Sequence, residues 1–162
     1  DSNVYVYDPF VENKDIENRN CIPINIEEGL RLADYITVHL PLNNKTKNFI
    51  SSKEFSSMKK NSIIVNTARG GIINEKALID ALEKKNLLAA GIDVFEKEPP
   101  DQNNPLFELP NVLLSPHNAA LTLECRKRMA TEAAQLIVCY LKDKNKLNFS
   151  NLINIKELDL QI

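Results

Sequence analysis

Histidine occurs only twice in this 162-residue sequence, cysteine three times, and there is no Cys-x-x-Cys pair. Two histidines are too few for a histidine-based zinc site. Cys21, Cys125 and Cys139 are odd in number and widely spaced. They fit reduced thiols in a cytoplasmic protein better than a disulfide framework or a metal centre, so no metal is expected. No apolar run approaches the length of a membrane span, and nothing at the start reads as a signal peptide. A dominant charge is also missing. The net charge is -2 and the basic residues are scattered, so neither nucleic acid nor a membrane surface is an expected partner. There is no internal repeat and no low-complexity segment. Glycine is scarce, at Gly29, Gly70, Gly71 and Gly91 alone, so no G-x-G-x-x-G run can be drawn.

What remains is an ordinary soluble composition, 43% hydrophobic and 26% charged, on a chain long enough to bury a core. Ile63-Ile64-Val65 is a short β-branched run after the polar Lys59-Lys60-Asn61-Ser62, the pattern of a buried parallel strand. Asn66 and Thr67 end it, Arg69 follows, and Gly70-Gly71 lets the chain turn or pass close to a ligand. Asn74 to Asn86 has apolar residues at Ala77, Leu78, Ala81 and Leu82, a helical spacing with Asn74 as N-cap. Arg69 therefore lies in a strand-to-helix loop at the carboxyl end of a strand, the edge where open α/β sheets bind ligands.

The same alternation runs along the chain. Val4 to Tyr7 reads as a strand closed by Asp8-Pro9, Ile26 to Ala33 as a short helix, and Tyr35 to Leu40 as a strand closed by Pro41. The segment from Val11 to Pro23 reads as polar and irregular. Ser51 with Glu54 resembles a capping box for a helix to Met58. Leu87 to Val94 and Val112 to Ser115 read as further strands, with a proline- and acid-rich loop from Glu96 to Pro110 between them. Thr122 to Leu141 reads as a long helix with Met129, Ala133, Leu136, Ile137 and Tyr140 inward. The whole is an α/β fold, a parallel sheet covered by helices on both sides.

Each strand end carries a polar residue: Asp8, His39, Arg69, Asp93 and His117. An acid ending the second strand of a dinucleotide fold accepts hydrogen bonds from a ribose and repels a 2′-phosphate, favouring NAD over NADP. Asp8 equally suits a turn before proline. Glu98 lies in a loop returning to the edge that His117 caps, and a carboxylate there would stabilise the imidazolium form. That pair can exchange a proton with a carbonyl oxygen as hydride reaches the carbon, while the planar fork of Arg69 holds a carboxylate. Taken singly, His117 reads as a surface histidine and Glu98 as a solvated loop acid; their common edge favours the functional reading. His39 reads as a strand-end residue bonded to backbone.

V-H-L-P-L at 38–42, N-T-A-R-G-G at 66–71, G-I-D-V-F-E-K-E-P at 91–99 and S-P-H-N-A-A at 115–120 resemble the D-isomer-specific 2-hydroxyacid dehydrogenases. Four motifs in the family's order make the resemblance specific, and it runs from Val4 to about Asn154. It implies a Rossmann-type doubly wound sheet and an NAD-dependent enzyme interconverting a D-2-hydroxy acid and its 2-keto acid, in the manner of phosphoglycerate dehydrogenase. It implies Arg69, Glu98 and His117 as catalytic residues. It further implies that Asp8, the Leu40-Pro41 backbone, Thr67, Ala68, Arg69, Asp93, His117, Asn118, Ala119 and Ala120 line the NAD site, and that the protein is a homodimer.

Two departures stand out. Asn118 occupies a position that is aliphatic in the family, and the family's phosphate loop would precede Val4. The expected arrangement is thus an incomplete NAD-binding domain over 1–141, lacking its first strand and phosphate-loop helix, with 142–162 returning toward a substrate domain. With Val4–Tyr7, Tyr35–Leu40 and Ile63–Asn66 as second, third and fourth strands, the order 3-2-1-4-5-6 leaves a one-strand slot between Val6 and Ile64. The rival reading is a non-enzymatic NAD-sensing binding module, or an inactive remnant of such an enzyme.

Overall fold

The structure is a computed structural model that describes residues 2–142, and the chain divides into two units, Asp1–His117 and Asn118–Ile162. The first unit holds six parallel strands in two sheets. β1 (Tyr5–Val6) pairs with β2 (Ile22–Pro23). β3 (Tyr35–Val38), β4 (Ile63–Asn66), β5 (Ala89–Ile92) and β6 (Val112–Leu114) form the larger sheet in that order. Its register sets Ile36 beside Ile64, Ile64 beside Ala90 and Ile92 beside Leu114.

The connections are helical, as parallel strands require. α1 (Asn13–Glu17) joins β1 to β2, α2 (Ile26–Leu32) precedes β3, α3 (Ser52–Ser57) precedes β4 and α4 (Glu75–Glu83) precedes β5. Asn25 Oδ1 accepts the Glu28 amide at 2.9 Å to start α2, and Asn74 Oδ1 accepts the Ala77 amide at 2.8 Å to start α4. Ser51 and Glu54 form the expected capping box at the start of α3, with the Glu54 carboxylate taking the Ser51 amide at 3.0 Å. Leu30 of α2, Phe55 of α3, and Leu78 and Leu82 of α4 share one core with Val38, Ile64, Ala90 and Ile92. The sheet's alternation is sharp on β3, where Val38 is buried while Tyr35 and Thr37 are exposed. Within this unit α2, α3 and α4 pack on one face of the larger sheet. Leu113, exposed on β6, marks the other face.

The segment from Val11 to Pro23 is a second departure. It is not irregular: it contains α1 and β2, held by the single buried side chain Ile16. With so few apolar residues, neither periodicity was visible. This shifts the strand count by one. Ile22–Pro23, not Tyr35–Leu40, lies beside Tyr5–Val6. Tyr35–Val38 takes one side of β4 and β5 takes the other. No ladder joins β1 to β4, but the expected slot beside Ile64 does not exist. Among the described residues the edge strands are β1 and β2 of the small sheet and β3 and β6 of the larger one. The ring of Tyr7 stacks on Phe49, centroids 6.4 Å apart, linking the end of β1 to the chain just before α3.

The second unit contains α5 (Leu123–Lys142), opened by a Thr122 hydroxyl that accepts the Cys125 amide. None of its residues is buried, so the expected inward stripe is not observed. Met129, Ala133 and Ile137 are exposed, and Leu136 and Tyr140 are half-buried. The expected segment 142–162 lies, beyond Lys142, outside the described residues. No described helix is long and apolar enough to cross a membrane, and no described group of histidine, cysteine or acidic residues could hold a metal.

Candidate active site

The site is assembled where β4, β5 and β6 end. Asn66, the last residue of β4, is 2% exposed. Its Oδ1 accepts the Ala68 amide and its Nδ2 donates to the Arg69 carbonyl, both at 3.0 Å. Arg69 is exposed, and its Nη1 donates to the Ala68 carbonyl at 2.6 Å. The chain then passes hard against the neighbouring loop. A Cβ on Gly70 would stand 1.7 Å from the Phe95 carbonyl oxygen, so only glycine fits. Gly71 follows with φ +79°, a turn that side chains resist.

β5 leads into Asp93, which is buried. Its amide donates to the Asn66 carbonyl at 3.0 Å, its carbonyl accepts the His117 amide at 2.8 Å, and its carboxylate accepts the Ser115 hydroxyl. Three strand ends are thereby tied in a row. The loop beyond is fixed by a reciprocal clasp: Glu96 accepts the Glu75 amide at 2.8 Å and Glu75 accepts the Glu96 amide at 3.2 Å. Asn104 holds the other oxygen of Glu75 at 2.7 Å.

Within that loop Glu98 is gripped at both oxygens. Oε1 accepts the Phe95 amide at 3.1 Å and Oε2 lies 2.8 Å from His117 Nδ1. His117 has φ +51°, an uncommon conformation for a side-chain-bearing residue. The pinned amide and the Glu98 contact are what hold it there. The hydrogen bond from His117 does most to hold the Glu98 carboxyl below its ordinary pKa, followed by the Phe95 amide; the Arg69 charge acts the same way more weakly, while burial opposes. An ionised carboxylate only accepts, so Nδ1 carries the proton in this pair. In a neutral ring Nε2 is then the free base.

The profile of the D-isomer specific 2-hydroxyacid dehydrogenase NAD-binding domain matches residues 1–119. The chain belongs to this family. It is 42% identical over 156 residues to the D-3-phosphoglycerate dehydrogenase of Methanocaldococcus jannaschii, covering 96% of this chain and 30% of that relative. It is 42% identical over 127 residues to the glyoxylate reductase of Aeropyrum pernix, covering 78% of this chain and 38% of the relative. Its fold matches the NAD-complexed 2-hydroxyacid dehydrogenase of Lactobacillus delbrueckii ssp. bulgaricus with a TM-score of 0.80 at 27% identity, over 87% of this chain and 46% of the other. It matches D-lactate dehydrogenase with NAD+ from Lactobacillus jensenii with a TM-score of 0.78 at 30% identity, over 86% and 45%. The chain thus spans about a third of the length of these curated relatives.

For this 2-hydroxyacid dehydrogenase domain, the structure brings together Arg69, Asp93, Glu98 and His117. Asp8 follows β1 and its Oδ1 accepts the Phe10 amide at 2.9 Å, the local turn that the Asp-Pro pair allows. Leu40 is half-buried, and the Pro41 carbonyl accepts the Thr46 hydroxyl. Thr67 and Ala68 flank Arg69 in the β4 loop, both half-buried. Asn118, Ala119 and Ala120 are exposed and belong to the second unit, where the Asn118 carbonyl accepts the Leu121 amide at 2.8 Å. His39 pairs through Nε2 with the Thr37 hydroxyl at 2.8 Å, not with backbone as expected.

Asn66, Ser115 and the Glu75–Glu96 clasp were not among the expected site residues. Asn66 had a visible signal, an amide closing a β-branched run next to Arg69. The clasp had none, because its partners are 21 residues apart.

Proposed function

We propose that this chain serves an NAD-dependent oxidoreductase that interconverts a D-2-hydroxy acid and its 2-keto acid, with D-3-phosphoglycerate as the first candidate substrate. The observation that carries the reading is the Glu98–His117 contact of 2.8 Å, built beside the exposed guanidinium of Arg69. Arg69 binds the substrate carboxylate through its paired donors. Glu98 fixes the ring through Nδ1, leaving His117 Nε2 to take the hydroxyl proton during oxidation and return it to the carbonyl oxygen during reduction. A bound NAD would supply the hydride chemistry at substrate C2. An intact proton-transfer pair is unneeded in a purely NAD-sensing module, which favours the enzyme over that rival.

The residues present fit part of the dinucleotide. Asp8 offers a half-buried carboxylate suited to ribose hydroxyls, and Asp93 offers a buried one held by Ser115 beside the His117 strand. The loops around Arg69 and His117 would border the nicotinamide end. No described G-x-G-x-x-G turn serves the pyrophosphate. A cytoplasmic homodimer is part of the same proposal, supported by the family resemblance.

The test is reduction of the keto acid of D-3-phosphoglycerate, glyoxylate and hydroxypyruvate by the full-length protein, followed through NADH loss. Turnover lowered roughly 10²–10⁴-fold by His117→Ala is the expected result. Wild-type protein inactive on every 2-keto acid in both directions would remove the reading.

A further inference from the structure

We propose that Asn66 is a positioning residue that presets the Arg69 guanidinium for exchange onto a substrate carboxylate. The inference rests on the dehydrogenase reading above. Asn66 is buried, yet its side chain bonds to no neighbouring strand. Both ends are spent inside the loop that carries Arg69: Oδ1 on the Ala68 amide and Nδ2 on the Arg69 carbonyl, at 3.0 Å each. The Thr67–Ala68 and Arg69–Gly70 peptide units, which bracket the Ala68–Arg69 peptide, are therefore both held. The guanidinium rests on the peptide unit between them, Nη1 to the Ala68 carbonyl at 2.6 Å. A carboxylate is a stronger acceptor than a neutral carbonyl and can take two guanidinium donors together. Its arrival thus replaces the Ala68 oxygen, while the loop that aims the side chain stays in place. The backbone of the same residue reaches across the site: the Asn66 carbonyl accepts the Asp93 amide, and the Asp93 carbonyl accepts the His117 amide. Asn66 consequently sets Arg69 relative to the acid/base histidine, the spacing on which a bound substrate depends.

The experiment compares the full-length wild type with Asn66→Ser, Asn66→Asp, Arg69→Ala and the Asn66→Ser/Arg69→Ala double variant. Ser62→Ala serves as a stability control. Ser62 precedes the other end of β4, fully buried, and its hydroxyl donates to the Lys59 carbonyl at 2.7 Å. Asn66→Ser removes the donor to the Arg69 carbonyl without adding charge; Asn66→Asp keeps the shape but sets an oxygen against that carbonyl. Each should lower kcat/KM for the keto acid by roughly 10–100-fold, mainly through KM, and leave NADH affinity at the wild-type value. Asn66→Ser should add nothing in the Arg69→Ala background, and Ser62→Ala should keep the wild-type KM. An additive double variant, or a KM rise of equal size in Ser62→Ala, overturns the role of Asn66. A wild type that turns over no 2-keto acid overturns the dehydrogenase reading instead. Should neither Asn66 variant fold, amide exchange in the wild type decides. Slow exchange at Ala68 supports the held loop, and exchange at the rate of an open loop overturns it.

Discussion

Glu98 Oε2 stands 2.8 Å from His117 Nδ1, and the other oxygen of the same carboxylate is taken by the Phe95 amide at 3.1 Å. A carboxylate gripped at both oxygens cannot rotate away from the ring. It fixes which imidazole nitrogen carries the standing proton, and this decides the behaviour expected of several variants.

His117→Ala in the full-length protein should cut turnover by roughly 10²–10⁴-fold, the usual share of general acid–base catalysis, with NAD affinity nearly unchanged. Stopped-flow turnover and cofactor titration together check it. An unaltered rate at neutral pH would take His117 out of the mechanism.

The Glu98 carboxyl is held below its ordinary pKa, chiefly by His117. It therefore contributes stability above the unfolded glutamate value of about 4.3, and that contribution disappears as pH falls through the lower folded value. Wild type should melt above Glu98→Gln near neutrality, and the gap should close on acidification below about pH 4. A gap independent of pH would mean that Glu98 is not ionised against His117.

Gly70→Ala would set a methyl group 1.7 Å from the Phe95 carbonyl oxygen, closer than any packing tolerates. The Arg69 loop and the Phe95–Glu98 loop must then separate. A loss of about 1–3 kcal/mol in chemical denaturation is expected, with a fall in activity beyond that of the melted fraction. Wild-type stability and turnover in this variant would show that the two loops do not depend on their close approach.

Asp8→Ala should weaken NAD and reduce discrimination against NADP, because the carboxylate that repels a 2′-phosphate is gone. Isothermal titration with both cofactors gives the ratio. If the ratio stays fixed, Asp8 serves only the turn in which it accepts the Phe10 amide.

The sequence by itself determined the parallel α/β class, the four longer strands, the helices from Ile26, Ser52 and Glu75, and the placing of Arg69, Asp93 and His117 at strand ends. Short β-branched runs closed by polar or turn residues carry that information locally. The sequence did not determine β2, whose two residues show no periodicity and owe their strand to pairing with Tyr5–Val6; the strand count was off by one for that reason. Tertiary structure alone decided that β3 lies beside β4, and it supplied the atoms and the distance of the Glu98–His117 pair that the returning loop led one to expect. It also decided that Gly70 is required by the Phe95 carbonyl, and that Asn66 turns its side chain into the Arg69 loop. Each of these depends on contacts between segments distant in sequence or on the direction of a side chain, and a linear pattern of apolar and polar residues encodes neither.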